Sequence, residues 1–441
     1  MANRYAPVAR RTLGAALAVA AIGWSVAVLA QGPAKPQSVD DIISNVLKAN
    51  KGEPRPNSRP IAPVIMGVRI GEHQDRTRFV VEMSDPVAMR TFTLSNPNRV
   101  IIDMPLVQWH LEAPPRPAGS GIVRSYRYGL FRSGNSRFVI DLNSPVSVSN
   151  ALVVPPGGGY GYRVVVDLLP TSQAKFDATA GWPPDLRARE EAAALLASLP
   201  PAQAQGPAMG EKHVIVIDAG HGGIDSGTNG VNGLQEKDVV LDEAQRLGRM
   251  LAGRRDYIVH LTRESDVYIP LKERVSIARN WRADLFVSLH ADSNPDPGVT
   301  GLSIYTLSDR GSDAEAAALA RKENQSDVIA GVDLGGGNAT VAPILIDLAQ
   351  RDTMNRSSRF AEDAVSILSR ATAILPKQPH RSAAFVVLKA PDVPSVLIEL
   401  GYLSNSGDAD EMNNVHWRDR VAQSLARAID RYFGPSTAAD P

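Results

Sequence analysis

The chain has 441 residues, with 47 lysines plus arginines against 47 aspartates plus glutamates, 44% hydrophobic residues and no cysteine. That length allows two or three domains with a sizeable buried core, and the balanced charge argues against a dedicated nucleic-acid binder, which carries a basic excess or stripe. Without cysteine there can be no disulfide, thiolate zinc site or cysteine nucleophile, so any metal must rest on His, Asp or Glu.

At the start, Arg4, Arg10 and Arg11 precede an almost uninterrupted apolar stretch from Leu13 to Ala30, which ends in Val28-Leu29-Ala30 before Gln31. A basic head, an apolar run and a small-residue exit predict a secretory signal peptide over 1–31. An uncleaved anchor is the alternative for a run of this length. The Arg10-Arg11 pair suits twin-arginine export as well as the general Sec route. No other segment has the length and apolarity to cross a membrane, so no stable span is expected once the signal is removed. Residues 32–63 hold a short amphipathic patch at 39–47 and then a Pro- and Arg-rich stretch, which reads as a linker.

From 64 to 170 the pattern is one of short β-type runs, at 64–70, 77–83, 98–104, 122–128, 137–142, 146–154 and 162–168. Turn signals such as Asn96-Pro97-Asn98 and Pro156-Gly157-Gly158-Gly159 separate them, which predicts a small all-β domain of the sandwich kind. Residues 171–210, rich in Pro, Ala and Gln, read as a second linker that belongs to neither core, with a transiently helical stretch at 185–199.

From 211 to 435 strands alternate with helices. A buried-strand run at 213–218 leads to an amphipathic helix at 236–254, with Val240, Ala244, Leu247 and Leu251 on one face. A strand at 257–262, a helix at 271–281, strands at 284–289, 302–307 and 396–400 and a helix at 417–432 follow. Such alternation predicts an α/β domain with a largely parallel sheet.

Ligands gather at the carboxyl ends of strands in sheets of this kind. Here the first strand runs into Gly220-His221-Gly222-Gly223, another into His290-Ala291-Asp292 and a third into Glu399-Leu400-Gly401, while Glu236 opens the first helix. Two histidines and a carboxylate suit a catalytic zinc with a fourth position left open for water, and a further carboxylate such as Glu399 could move the proton of that water. The glycine-rich turn taken alone reads equally as a phosphate-binding or structural loop.

The stretches at 216–230 (VIDAGHGGIDSGTNG), 234–241 (LQEKDVVL), 261–278 (LTRESDVYIPLKERVSIA), 283–292 (ADLFVSLHAD) and 385–405 (FVVLKAPDVPSVLIELGYLSN) are similar to those of the zinc-dependent N-acetylmuramoyl-L-alanine amidases, the amidase_3 family, AmiC-like members included. The resemblance implies that His221, Glu236 and His290 hold Zn2+ and that Glu399 is the catalytic carboxylate. It implies hydrolysis of the amide between N-acetylmuramic acid and L-alanine of peptidoglycan, in the periplasm, for cell-wall remodelling and daughter-cell separation. Region 64–170 resembles the AMIN module of these enzymes, which implies targeting to peptidoglycan or the envelope.

Between the strand at 302–307 and a helix expected near Met354 lie more residues than a loop needs, and 308–353 reads as a helical insertion. It resembles the inserted helix with which the AmiB and AmiC subgroup covers its own active site. That implies an acidic residue at the open zinc position, with Glu315, Glu323 and Asp327 as candidates, and a LytM-type activator that displaces the helix. The plain alternative is an insertion with a solvated charged face. His73, His110, His213, His260, His380 and His416 are not assigned to the metal. Asp218 and Asp225 read either as groups orienting His221 or as turn residues. Arg263 and Arg274 read as substrate contacts or, more plainly, as helix-surface partners of Glu264 and Glu273.

Overall fold

The computed structural model describes residues 62–111, 120–198, 212–332 and 343–434. The expected signal peptide and residues 32–61 of the first expected linker lie outside the described residues.

Among the described residues, the short β-type runs of the first region form nine strands: β1 (Val64–Glu72), β2 (Thr77–Met83), β3 (Arg90–Leu94), β4 (Arg99–Pro105), β5 (Gln108–Trp109), β6 (Val123–Arg132), β7 (Asn135–Leu142), β8 (Val146–Val154) and β9 (Tyr162–Pro170). They build two sheets, β5-β1-β2-β9-β8 and β3-β4-β7-β6. Strand β2 alternates as a one-faced strand should: Phe79, Val81 and Met83 are buried and meet Val100, Ile102, Phe138 and Ile140 of the other sheet. This is the expected sandwich. Strands β4 and β7 do not alternate, because Ile101 and Val139, on the opposite face, are just as buried. They join Phe131, Trp182, Ile224, Tyr268, Ala330 and Val332 in a second cluster, so the outer face of the four-stranded sheet is covered by residues from the α/β region.

The segment expected to be a free linker is instead two helices, α1 (Gln173–Thr179) and α2 (Pro184–Ser198). Ser172 caps α1 by accepting the Lys175 N–H at 3.4 Å. Phe176 is buried in the sandwich core and Trp182 in the second cluster. Two large side chains thus anchor a stretch whose Ala-rich composition carries little pattern of its own.

The α/β region runs β10 (His213–Ala219), α3 (Glu236–Ala252), β11 (Tyr257–Leu261), α4 (Leu271–Asn280), β12 (Leu285–His290), β13 (Ser303–Leu307), α5 (Ala314–Glu323), α6 (Ser326–Ile329), α7 (Pro343–Leu368), β14 (His380–Ala383), β15 (Ser395–Glu399), α8 (Ser406–Asn413) and α9 (Val415–Phe433). The sheet order is β11-β10-β12-β15-β13-β14. Every pairing is parallel except β13 with β15, as the largely parallel expectation requires. Alternate residues of β10 feed two cores: Ile215 and Ile217 join one with α3 and α9, and Val216 the other with α4. Such two-sided burial is why these strands read as continuous apolar runs.

The end of the helical insertion and the helix expected near Met354 are one element: α7 runs from Pro343 unbroken for 26 residues. Residues Val386–Leu388 form a single 3-10 turn, and the edge strand β14 lies just before it.

Glu243 of α3 is buried with both carboxylate oxygens bonded to nothing, and burial pushes its pKa up to about 8. Because the folded value lies above the unfolded one of 4.5, the folded state holds a proton that the unfolded state releases between those limits. Stability therefore falls as pH rises, at about 1.4 kcal/mol per unit. Glu243→Gln should show little gain in melting temperature near pH 4.5 and a growing one up to pH 8, read by calorimetry.

Candidate metal centre

The loop after β10 is built around a left-handed residue. His221 has φ 55°, and Gly222 (φ 120°) and Gly223 (φ 56°) follow. A non-glycine residue in that region is uncommon and must be held. Two buried guanidiniums do so. Arg274 donates to the carbonyls of Ala219 and His221 at 2.6 and 2.7 Å, and Arg263 to those of Ala219 and Gly220 at 2.9 and 2.8 Å. Arg274 is in turn paired with buried Asp218 at 2.8 Å, which also accepts from Thr262 and Ser288. Neither arginine is bonded to Glu264 or Glu273, so the helix-surface reading is corrected; Arg274 lines the small cavity beside His221 and His290, with its guanidinium taken up by Asp218 and the loop carbonyls. The carbonyls by which they hold this loop lie 43 to 55 residues away, a relation that local spacing does not announce.

The turn brings His221 opposite His290, at the end of β12, with ring centroids 4.9 Å apart. Glu236, the first residue of α3, lies against both: its Oε1 is 3.1 Å from His221 Nε2 and 3.2 Å from His290 Nδ1. The same oxygen accepts the Ala291 N–H at 2.9 Å and Oε2 accepts the Thr228 N–H at 2.9 Å. On the other side, Glu323 Oε2 is 3.3 Å from His221 Nε2 and 3.1 Å from His290 Nδ1. Two imidazole nitrogens thus sit between two carboxylates. A tetrahedral ion with ligands at about 2.0–2.1 Å has ligand–ligand edges of roughly 3.3 Å. The donor types and separations fit a zinc ion.

Hydrogen bonding fixes the rings for such a role. Asp225 accepts from His221 Nδ1 at 2.9 Å, which leaves Nε2 as the inward lone pair. Of the two aspartates considered, Asp225 orients the histidine and Asp218 holds an arginine. Gly220 has no side chain where His290 needs room, since a Cβ there would lie 2.5 Å from the imidazole.

The charges agree with a cation-seeking centre. Burial alone would lower both imidazoles, yet Glu236, Asp225 and Glu323 hold His221 well above its ordinary value, and Glu323 and Glu236 bring His290 up to about 10. Burial opposes ionisation of the carboxylates, but the facing imidazoles hold Glu236 well below the usual range and Glu323 down to about 2. Glu399, paired in register with His290 across β12 and β15, behaves oppositely. Burial first, then the neighbouring carboxylates Glu236 and Glu323, push it well up. Its Oε2 accepts the Asp292 N–H at 2.9 Å, while Oε1 is buried and bonded to nothing.

Of the three acidic residues considered in the insertion, the structure brings only Glu323 to the histidines. Glu315 lies at the exposed start of α5, paired with Arg381 at 3.0 Å. Asp327 accepts from Tyr268 Oη at 2.8 Å and from the Leu271 N–H at 3.0 Å, so it caps α4. Around Glu323, Lys322 Nζ reaches Asp292, Thr228 and Ser293, Ser326 donates to Asp225, and Asn324 donates to the Ala384 carbonyl at 3.0 Å. The cavity left beside His221, His290 and Glu323, walled by Leu271 and Phe385, has room for little beyond a water or an ion. Lys322 and Ser326 were not foreseen; their signal is proximity to Glu323, one residue before it and one helical turn after.

Comparison with known proteins identifies the family. A family model described as N-acetylmuramoyl-L-alanine amidase matches residues 215–431, and the AMIN domain model matches 67–168. The chain is 34% identical over 385 residues to N-acetylmuramoyl-L-alanine amidase AmiC of Neisseria meningitidis serogroup B, covering 85% of this chain and 91% of that protein. The chain belongs to the N-acetylmuramoyl-L-alanine amidase family. An AmiC of Escherichia coli O6:H1 is likewise 34% identical over 381 residues, 84% of this chain and 89% of that protein. Among solved structures, the catalytic domain of the amidase CwlV from Bacillus (Paenibacillus) polymyxa is similar at 26% identity and TM-score 0.35, over 50% of this chain and 98% of that one.

Outside the candidate metal centre, His213 stacks on Phe433 at 4.0 Å and His260 on Trp281 at 3.6 Å. His380 meets Thr306 Oγ1 at 3.1 Å. None of these three lies among the groups that converge on His221 and His290. Arg381 is engaged with Asp313 and Glu315 of the insertion. For the centre itself, Gly220→Ala should displace the His290 ring and weaken zinc binding by about 10–100-fold, measured by competition with a chromogenic chelator, with circular dichroism unchanged.

Proposed function

We propose that this chain is an exported, zinc-dependent amidase that hydrolyses the amide between the lactyl group of N-acetylmuramic acid and L-alanine of peptidoglycan, and that its resting form is closed by Glu323. The observation behind the reading is the pair of inward imidazole nitrogens, each within 3.3 Å of both Glu236 and Glu323. His221, Glu236 and His290 would hold Zn2+, and Glu323 would take the position that water or substrate needs. When bound, the metal would supply Lewis acidity toward the scissile carbonyl and acidify a water.

The chain's own residues do the rest. Glu399 Oε2 is pinned by the Asp292 N–H, so Oε1 has a fixed direction and a free lone pair. A carboxylate raised by burial is a good proton acceptor, and the same group then returns the proton to the leaving amine. Asp225 keeps the imidazole of His221 in the tautomer that offers Nε2. No covalent acyl intermediate is required, consistent with a chain that has no cysteine.

Region 64–170 would serve as the AMIN-type targeting domain of a periplasmic enzyme of cell-wall remodelling and daughter-cell separation, with 1–31 as signal peptide. No helix among the described residues is long and apolar enough to cross a membrane. A LytM-type activator would act by drawing α5 away from the centre.

A second reading follows from the same distances: Glu323 could be a permanent ligand, since it groups with His221 and His290 as well as any other acid. Glu323→Ala separates the two. On the closed-form reading the variant keeps stoichiometric zinc, and its release of dye from labelled sacculi rises at least about tenfold, the scale of a blocking interaction worth 1.4 kcal/mol or more; loss of zinc with loss of hydrolysis would instead make it a ligand. Glu399→Gln should retain zinc and lose turnover by about two orders of magnitude or more. Mass spectrometry of the Glu323→Ala products should find free L-alanine amino termini and unsubstituted muramic acid, and cleavage within the stem peptide would refute the substrate bond named here.

A further inference from the structure

The segment that closes the centre does not end inside the amidase domain. After α6 the chain turns through Gly331 (φ 71°), where the Ala330, Gly331 and Val332 N–H groups bond back to Ser326, Val328 and Asp327. Such a turn leaves the last carbonyls of a helix directed outward. Three arginines of the β domain meet them. Arg99 Nη1 donates to the Val328 carbonyl at 2.9 Å and to that of Val332 at 3.4 Å. Arg127 donates to Ile329 at 2.5 Å and to Val328 at 3.3 Å. Arg137 Nη1 donates to Ala330 and Gly331 at 3.2 and 3.0 Å, while its other two nitrogens hold Asp103 at 2.6 and 2.8 Å.

We propose that the β domain is a second latch on the closed form: by gripping the carbonyls of 328–332 it holds Glu323 on the histidines, so undocking of the β domain opens the metal centre. This rests on the closed-form reading of Glu323. Arg99 and Arg137 are fully buried beneath the segment, so its withdrawal would break the charge-assisted hydrogen bonds that both guanidiniums make to its carbonyls, which is costly. The same withdrawal would uncover Ile101, Val139 and Phe131, now covered in part by Ala330 and Val332. A Cβ on Gly331 would lie 2.8 Å from Ile101 Cδ1 and 2.9 Å from Val139 Cγ2, so the turn is seated on the sheet without clearance.

The β domain also touches the histidine loop. Ile224, three residues past His221, donates its N–H to the Leu130 carbonyl at 3.2 Å, and a Cβ on Gly223 would lie 1.8 Å from that oxygen. One sheet face therefore contacts both the blocking segment and the loop that carries a proposed ligand. The blocker is held at its other end by the ion pairs of Arg381 with Asp313 and Glu315 inside the amidase domain. Only its exit end answers to the β domain.

The test uses the full chain and two disruptions made from opposite sides: Arg99→Ala with Arg127→Ala on the sheet, and Gly331→Val on the segment, which leaves the β domain's own residues intact. Two quantities are read beside Glu323→Ala, namely dye release from labelled sacculi and hydrogen exchange of amides 314–332 in the zinc-free protein. The latch predicts faster exchange over 314–332 in both disruptions, with β2 and β9 still protected, and dye release raised several-fold toward that of Glu323→Ala. Unchanged exchange in Gly331→Val and in the double variant overturns it, as does release unchanged in both while Glu323→Ala is activated. Should Glu323→Ala itself show no activation, the closed-form reading fails, and the latch with it as a control of activity; exchange then reports only on the docking.

Discussion

Glu236 is a carboxylate withdrawn entirely from water, and the centre is arranged around the need to satisfy it. A buried anion persists only if hydrogen bonds and opposite charge replace its hydration. Here each oxygen accepts one backbone N–H, from Ala291 and from Thr228, and Oε1 also faces His221 and His290. Those requirements fix where α3 starts and how far β12 extends. They also require glycine at position 227, since a Cβ there would lie 2.6 Å from Glu236 Oε2 and 2.8 Å from His221. With Glu323 added on the far side, two negative groups flank two imidazoles, a field that draws positive charge to the middle.

The strand ends that carry this arrangement were legible in the sequence. Buried parallel strands announce themselves as continuous apolar runs, and the polar residue that ends each run has to lie at the edge of the sheet. That logic finds His221, His290 and Glu399 without a structure, and Glu236 through its position at a helix start. What it does not find is whatever reaches the centre from a distance. Arg263 and Arg274 come from the β11–α4 region, and their work is done on backbone carbonyls, which leave no trace in the side-chain pattern. The choice among Glu315, Glu323 and Asp327 was closed to the sequence for a similar reason. All three are acids on short helices, and only the path of the chain decides which one faces inward.

The second expected linker shows the opposite failure. An Ala-rich stretch with prolines at its edges has the composition of a connector, yet Phe176 and Trp182 fasten it to two separate cores. One or two large side chains outweigh the average of their neighbours when each finds a pocket. The sandwich held a clue that went unread. Strand β2 alternates, whereas Val100-Ile101-Ile102 in β4 and Phe138-Val139-Ile140 in β7 are apolar on both faces. In an antiparallel sandwich that doubling means the outer face of the sheet is covered, and here the cover is the catalytic half of the molecule.

That covered face constrains the geometry of any attachment to the cell wall. With the four-stranded sheet turned inward, the broad surface left to the β domain is the outside of β5-β1-β2-β9-β8, where Arg69 and Arg163 lie over the Tyr160 ring. An anchor point there stands off from the hydrolytic centre by at least the thickness of a sandwich, about 10 Å between sheets. A glycan gripped by that surface would therefore be a neighbour of the strand whose stem peptide is released rather than the same stretch of it, and the enzyme would work sideways from its tether.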